Sequence, residues 1–257
     1  MKKKIDINKN TENTLLNQKK KFKINGGISE CIKYENKFFF KSFDLVGKDL
    51  IEFGCGIFPS CLGINKDKMP KTYIATDTSK KIIKNAKIND NRPIYKVCDL
   101  EKKINIKKKF DIIVLKGVLH HTKNPEKILS KLKKILKKNG VIIISEPNLT
   151  SVLGNFLKWF LAFAFKISME DSPYGQYSFK KINKCIKIAN LRIVNKWYTV
   201  LILLILTGDY GRIMVFPDNR FLFSLFITIE NFLFYIFKYI GIAKFLNFKL
   251  NIVLKKN

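Results

Sequence analysis

Cysteine, histidine and arginine are all scarce in this chain of 257 residues. Its 5 cysteines (Cys31, Cys55, Cys61, Cys98 and Cys185) are odd in number, scattered and without a C-x-x-C pair. That argues against a disulfide framework and against a zinc site, so no metal is expected. Acidic residues are few, 20 against 49 basic ones, which leaves a formal net charge of +29. Only Arg92, Arg192, Arg212 and Arg220 among the basic residues are arginine. Phosphate and base readers favour the planar arginine fork, so no nucleic-acid partner is expected. The lysines share A/T-rich codons with the abundant Ile, Asn and Phe, and coding bias accounts for them as well as a polyanionic partner does. Surface lysines still leave room for attraction to an anionic membrane surface. No apolar run follows the basic Met1-Lys2-Lys3-Lys4, so no cleaved signal peptide is expected. The expected setting is cytoplasmic, at most peripheral on the inner face of a membrane.

What is present is a globular composition. A hydrophobic fraction of 47% and a charged fraction of 27% exclude wholesale disorder and fibrous repeats. The length suits one α/β domain with an elaboration. Residues 1–23 carry eight lysines and read as a mobile tail. Residues 38–50, opened by Phe38-Phe39-Phe40, read as a helix packed on the following domain. From Asp49 onward, short apolar runs alternate with lysine-rich helical stretches. Strands are expected at Leu50-Ile51-Glu52-Phe53, Thr72-Tyr73-Ile74-Ala75-Thr76, Ile94-Tyr95-Lys96-Val97-Cys98, 110–115 and 141–144. A helix opened by Asp77 or Thr78 carries Ile82, Ile83 and Ala86. Another spans 125–138, with Ile128, Leu129, Leu132, Ile135 and Leu136 at helical spacing and a stop at Asn139-Gly140. Near-continuous Ile/Val runs alternating with helices point to a Rossmann-like α/β fold, a doubly wound and mostly parallel sheet covered on both faces. Later, Ser178 opens a helix to Ala189, and the stretches 192–198 and 248–254 alternate like strands. The domain is therefore expected at 24–198 and 247–257, with an apolar helical insertion at 199–246.

Glu52-x-Gly54-x-Gly56 directly follows the first strand, where open α/β sheets bind ligands and glycines allow close backbone approach. A dinucleotide fingerprint needs a third glycine three positions after Gly56, where Pro59 stands. The loop suits an adenosyl cofactor with a positive sulfonium better than a pyrophosphate. Asp77 ends the second strand, where a carboxylate can accept from both ribose hydroxyls. Asp99 ends the third, where one can accept from an adenine amino group. Each acid alone is weak; together they converge on one crevice.

On Leu50-Ile51-Glu52-Phe53-Gly54-Cys55-Gly56, Tyr73-Ile74-Ala75-Thr76-Asp77, Val97-Cys98-Asp99-Leu100, the stretch from Phe110 through Leu119-His120-His121, and Lys138-Asn139-Gly140 to Glu146-Pro147-Asn148, the chain resembles the class I S-adenosylmethionine-dependent methyltransferases. It is most similar to their small-molecule and lipid branch, which includes the quinone-biosynthesis enzymes. The likeness covers residues 45–150, with a weaker match at 178–198 and the final strand. It implies an antiparallel last strand, S-adenosylmethionine as cofactor, and cofactor contacts from Glu52, Gly54, Gly56, Asp77 and Asp99. It also implies that Leu100 lies beside the adenine, Lys116 near the methionine end, and His121 where acceptor meets sulfonium.

The chain departs from that pattern in two places. Phe58 stands where the family has a third glycine, and the helix after the loop is poorly formed, with Gly63 and Pro70 in or near it. The reading is a methyltransferase acting on a small, hydrophobic or lipid-linked acceptor. A non-catalytic, membrane-associated assembly factor is the alternative. Lys116-Gly117-Val118-Leu119 replaces the Asp/Asn-Pro-Pro-aromatic motif of base-amino methylation. His121 reads either as a base for a hydroxyl acceptor or as a cap that orients the helix at Pro125; His120 reads as such a cap. Glu146 reads as a loop anchor, and Cys55 and Cys61 as packing residues. Tyr174 and Tyr177 read equally as substrate-side aromatics or surface turn residues. In the insertion, residues 221–237 are phenylalanine-dense, broken by Glu230 and Asn231, and show poor helical periodicity. They read as interfacial rather than spanning, with Phe223, Phe226 and Phe234 among the membrane-facing side chains.

Overall fold

The computed structural model describes residues 26–102, 104, 106–165, 177–199 and 218–257. The lysine-rich 1–23 stretch, Tyr174 and the apolar run 201–206 lie outside the described residues. A seven-stranded sheet organises the chain in the order β3-β2-β1-β4-β5-β7-β6. Its strands are β1 (Asp49–Phe53), β2 (Thr72–Asp77), β3 (Ile94–Val97), β4 (Phe110–Lys116), β5 (Leu136–Pro147), β6 (Leu191–Thr199) and β7 (Lys249–Lys256). β1 to β5 pair in parallel, whereas β7 runs antiparallel to both β5 and β6.

The apolar runs make this sheet because its central strands β1, β4 and β5 are buried on both faces, whereas the edge strand β3 is largely exposed. Ile51, Phe53, Ile113, Leu115, Ile142 and Ile144 point to one side. Their alternates Leu50, Ile112, Val114 and Ile143 point to the other, as a two-residue period requires. The first side is covered by α3 (Pro125–Ile135) and α5 (Phe179–Ile188) through Ile128, Leu129, Leu132, Ile182 and Ile186. The second is covered by the end of α1 (Gly27–Phe40) and the chain after it, with Phe39, Phe40 and Leu45 against the strands. The described residues form three further helices: α2 (Lys80–Asn89), α4 (Val152–Phe165) and α6 (Arg220–Tyr239). A short α7 (Ala243–Leu246) lies between α6 and β7.

Several boundaries differ from expectation. The helix expected over 38–50 lies earlier, because residues 41–48 turn to deliver Leu50 to the sheet. α3 stops at Ile135 rather than Lys138. Leu136 is fully buried opposite Phe110, and the Lys137 ammonium reaches Asp111 at 2.7 Å and Asp49 at 2.9 Å. Continuing the helix would remove both, so Asn139 and Gly140 fall inside β5 across a register shift. α2 is capped by Ser79, whose Oγ accepts from the Ile82 N–H at 3.2 Å. Ser178 caps α5 in the same way. Tyr177 is neither a surface turn residue nor solvent-facing. It is buried in the core, and its hydroxyl donates to the Thr122 carbonyl at 2.7 Å.

Candidate functional site

β1 delivers the chain into Gly54-Cys55-Gly56 at the carboxyl edge of the sheet. Gly54 and Gly56 both have left-handed backbones, with φ of +67° and +58°, which a side chain makes costly. A Cβ on Gly54 would lie 2.5 Å from a Val118 methyl, whereas one on Gly56 would meet nothing within 4 Å. The first glycine accommodates the loop after β4; the second borders open space.

Asp77 ties this turn to the end of β2. One carboxylate oxygen accepts from the Gly56 N–H at 3.1 Å and the other from the Ser79 N–H at 3.1 Å. Burial raises its pKa, and these backbone donors work against that rise. Because Ser79 caps α2, the Asp77 carboxylate is left to face the glycine turn. The neighbouring strand end carries Asp99, whose carboxylate accepts from the Glu101 N–H at 2.9 Å. That turn is pinned by the Lys131 ammonium, which donates to the carbonyls of Leu100 at 2.8 Å and Lys102 at 2.8 Å. Leu100 itself is buried in the main core.

Glu52 lies beneath the loop. Its carboxylate accepts from the Ser60 N–H at 3.0 Å, the Ser60 hydroxyl at 2.5 Å and the Tyr73 hydroxyl at 2.5 Å. Burial raises the Glu52 pKa despite these donors. It holds the far end of the loop in place. Among residues 54–71 the only helical turn is a 3-10 turn, Lys66–Lys68, as expected from Gly63 and Pro70. Side chains replace the missing helix's hydrogen bonds. Arg92 donates to the carbonyls of Ile64 at 2.6 Å and Cys61 at 2.8 Å while paired with Asp90 at 2.5 Å. Asn89 donates to the Ile57 carbonyl at 2.7 Å. Sequence reasoning missed Arg92 and Asn89; a loop without helical periodicity signals that its carbonyls need outside donors. Phe58, in the third-glycine position, packs on the cluster formed by α1 and α6. Cys55 and Cys61 are buried packing residues, and burial pushes both thiols up.

Lys116 closes β4, and its ammonium turns towards α1. It donates to Glu35 at 2.8 Å and to Asn36 at 2.5 Å, and Lys249 donates to the same Glu35 oxygen at 2.6 Å. Burial disfavours the Glu35 carboxylate, yet the two ammonium groups hold its pKa down at about 2. Burial lowers the Lys116 pKa, and Glu35 recovers only part of that. The trio straps α1 across the ends of β4 and β5, where β7 begins. No sequence motif marks Glu35 or Asn36.

After Gly117 the chain makes a 3-10 turn, Leu119–His121. Glu146, near the end of β5, accepts from the Val118 N–H at 3.1 Å and the Leu119 N–H at 2.8 Å; its other oxygen lies 2.6 Å from His120 Nδ1. Glu146 is thus the expected anchor and His120 a buried partner of it. His121 is half-buried, with its ring centroid 4.1 Å from that of His120.

This edge is that of a Rossmann-like α/β domain, a fold that binds ligands beyond the carboxyl ends of its strands, where the strand order switches between β1 and β4. Residues 44–202 match the family described as "Methyltransferase domain", and the chain belongs to that family. Its fold is that of the S-adenosylmethionine-dependent methyltransferases. A solved member from Archaeoglobus fulgidus superposes with a TM-score of 0.55 at 14% identity, covering 89% of this chain and 94% of that one. The magnesium protoporphyrin IX methyltransferase of Synechocystis PCC 6803, solved with bound SAH, gives a TM-score of 0.54 at 14% identity, covering 90% and 84%. Among curated proteins, the ubiquinone biosynthesis O-methyltransferase of Pelagibacter ubique is 29% identical over 130 residues, 46% of this chain and 53% of that protein. The chain spans about half the length of that relative.

Proposed function

We propose that this chain moves a methyl group from S-adenosylmethionine to a small hydrophobic or lipid-linked acceptor. The observation that carries the reading is the carboxyl edge of β1 to β3. There the open side of Gly56 meets Asp77, with Asp99 at the adjoining strand end. The residues fit an adenosyl group. Asp77 offers two acceptor oxygens to a vicinal diol, Asp99 can accept from an exocyclic amine, and Leu100 provides an apolar neighbour. They do not fit a dinucleotide, whose pyrophosphate rests on a helix N-terminus directly after β1. Residues 54–71 form no α-helix.

When bound, S-adenosylmethionine supplies an electrophilic sulfonium methyl. The chain's own residues then position and shield. Glu52 and Arg92 keep the loop after β1 in one path, and the Glu35–Lys116–Lys249 trio fixes α1 to the ends of β4 and β7. Rigid alignment of this kind contributes much of the rate in a displacement that needs no covalent intermediate. His121, on the turn braced by Glu146 and His120, receives the proton of a hydroxyl acceptor. The name of the Pelagibacter relative, an O-methyltransferase of a hydrophobic quinone pathway, supports both the hydroxyl and the apolar acceptor.

Calorimetric titration with S-adenosylmethionine tests the first half: a folded protein that gives no heat is a scaffold without turnover. Mass spectrometry of lipid extracts from cells with and without the protein tests the second. One metabolite class heavier by a single methyl group is expected. No class changing in cells whose protein binds the cofactor overturns the lipid-linked acceptor.

A further inference from the structure

α6 has two apolar faces, and among the described residues only one packs against another element. The inward face lies along α1. Phe223 is buried at the start, where a Cβ on Gly27 would lie 2.6 Å from its ring. Asn231 faces the Tyr34 hydroxyl at 3.4 Å, Phe234 meets Phe38 edge-on at 4.7 Å, and the Tyr235 hydroxyl accepts from Lys41 at 2.9 Å. The contacts advance together along both helices, so the two run parallel over the length of α1. Glu230 and Phe223 are buried on this face, and Phe226 and Phe234 pack towards α1 as well, so all three phenylalanines that the sequence pattern directed outward face the fold. The apparently poor periodicity of 221–237 is two apolar stripes on one helix.

The outward stripe is Phe221, Leu225, Phe232 and Tyr239, spaced by 4, 7 and 7 residues. Phe232 is 64% exposed and Tyr239 93%. α4, which starts where β5 ends, shows a second stripe. Phe156, Trp159 and Phe163 are exposed, with Trp159 and Phe163 stacked at 5.9 Å. The two helices share α7 as a neighbour, and Ser151 and Asn148 fasten the start of α4 to the carbonyls of Leu246 and Lys244. Both stripes therefore belong to the carboxyl end of the sheet, the end with the crevice.

We infer that these stripes form one docking surface for an anionic phospholipid bilayer, with α6 lying flat on it. Length and composition would allow α6 to cross a membrane: it has 20 residues, mostly apolar and mostly unburied. Its inward face forbids crossing. Insertion would carry α1 into hydrocarbon along with Glu30, Lys33 and the buried Glu35–Lys116 pair, a heavy desolvation cost. Charge decides the partner. The surface is bordered by exposed Arg220, Lys238, Lys244 and Lys41 on a chain of net charge +29. Such charge disfavours a second copy and favours acidic headgroups. Exposed Trp159 and Tyr239 are of the side-chain types that settle at a membrane–water interface. Delivery of a lipid-linked acceptor from that bilayer into the crevice rests on the methyl-transfer reading; the docking itself does not.

The test is flotation of the full chain at low salt. Vesicles of phosphatidylcholine containing phosphatidylglycerol are compared with vesicles of phosphatidylcholine alone. The protein should float with the anionic vesicles and sink with the neutral ones or at high salt. The triple variant Phe156→Ser, Phe232→Ser, Tyr239→Ser should lose about tenfold or more in partitioning, because each buried aromatic contributes substantially. Its heat with S-adenosylmethionine should be unchanged, which shows that it is folded and separates this proposal from the cofactor reading. Sinking with every vesicle overturns the proposal. So does a dimer in light scattering that the triple variant dissociates, because a second copy then covers the stripes. Resistance to carbonate extraction overturns it in the other direction, by showing a spanning helix.

Discussion

Removing Glu146 should destabilise the protein more than losing one surface charge would. Its carboxylate is 2% exposed and serves the Val118 N–H, the Leu119 N–H and His120 together. Glu146→Ala leaves two backbone donors and an imidazole without that acceptor. A buried orphaned donor costs about 1–3 kcal/mol, and bonds to charged groups sit at the upper end. Losing one desolvated carboxylate recovers part of this, so the net loss should be about 3 kcal/mol. Glu146→Gln keeps an oxygen for the two N–H groups but presents an amide to His120, and should lose only about 1 kcal/mol. Urea unfolding followed by circular dichroism reads both. With a slope of about 3 kcal/mol per molar, the alanine variant's midpoint should fall by about 1 M. An alanine variant within about 0.5 kcal/mol of the parent, or equal losses in the two variants, would refute the bracing of the His120 turn by Glu146.

Asp77→Ala should weaken S-adenosylmethionine binding at least about tenfold, since charge-assisted bonds to ribose are worth roughly 1.5–3 kcal/mol. Asp99→Ala should do so less, and unchanged calorimetric affinity in a folded Asp77 variant would remove that residue from the site. The Glu35 carboxylate, held at about 2 against an ordinary 4.5, makes a contribution present above pH 4.5 and lost as pH falls towards 2. Glu35→Gln should therefore flatten the acid limb of the stability profile in that window; an unchanged limb would show that the trio carries no net stabilisation. His121→Asn should lower kcat on a hydroxyl acceptor by about 100-fold or more with little change in cofactor affinity. Equal activity across the pH profile would assign the proton to another group.

The sheet was legible in the sequence because its cause is local. Unbroken runs such as Val141-Ile142-Ile143-Ile144 are buried on both faces, so composition alone marks them. The glycine turn and the acids at the ends of β1, β2 and β3 were legible for the same reason, since each sits at a fixed offset from an apolar run. Ser178 and the poorly formed helix after Gly56 were equally readable, from a cap residue and from Gly63 and Pro70. The end of α3 was not legible. Helical spacing continues through Leu136, and only the register with Phe110 and the pull of Asp49 and Asp111 on Lys137 convert the next residues to strand. Nor were the two faces of α6, because a stripe that packs on a helix and a stripe that meets solvent are both phenylalanine here. The strap of α1 was the least accessible. Glu35 finds Lys249 across 214 positions, and Asn36 finds Lys116 across 80. Polar pairs at such separations leave no periodic trace, and only the folded sheet, by bringing the ends of β4 and β5 beside the start of β7, puts the two ammonium groups on one carboxylate.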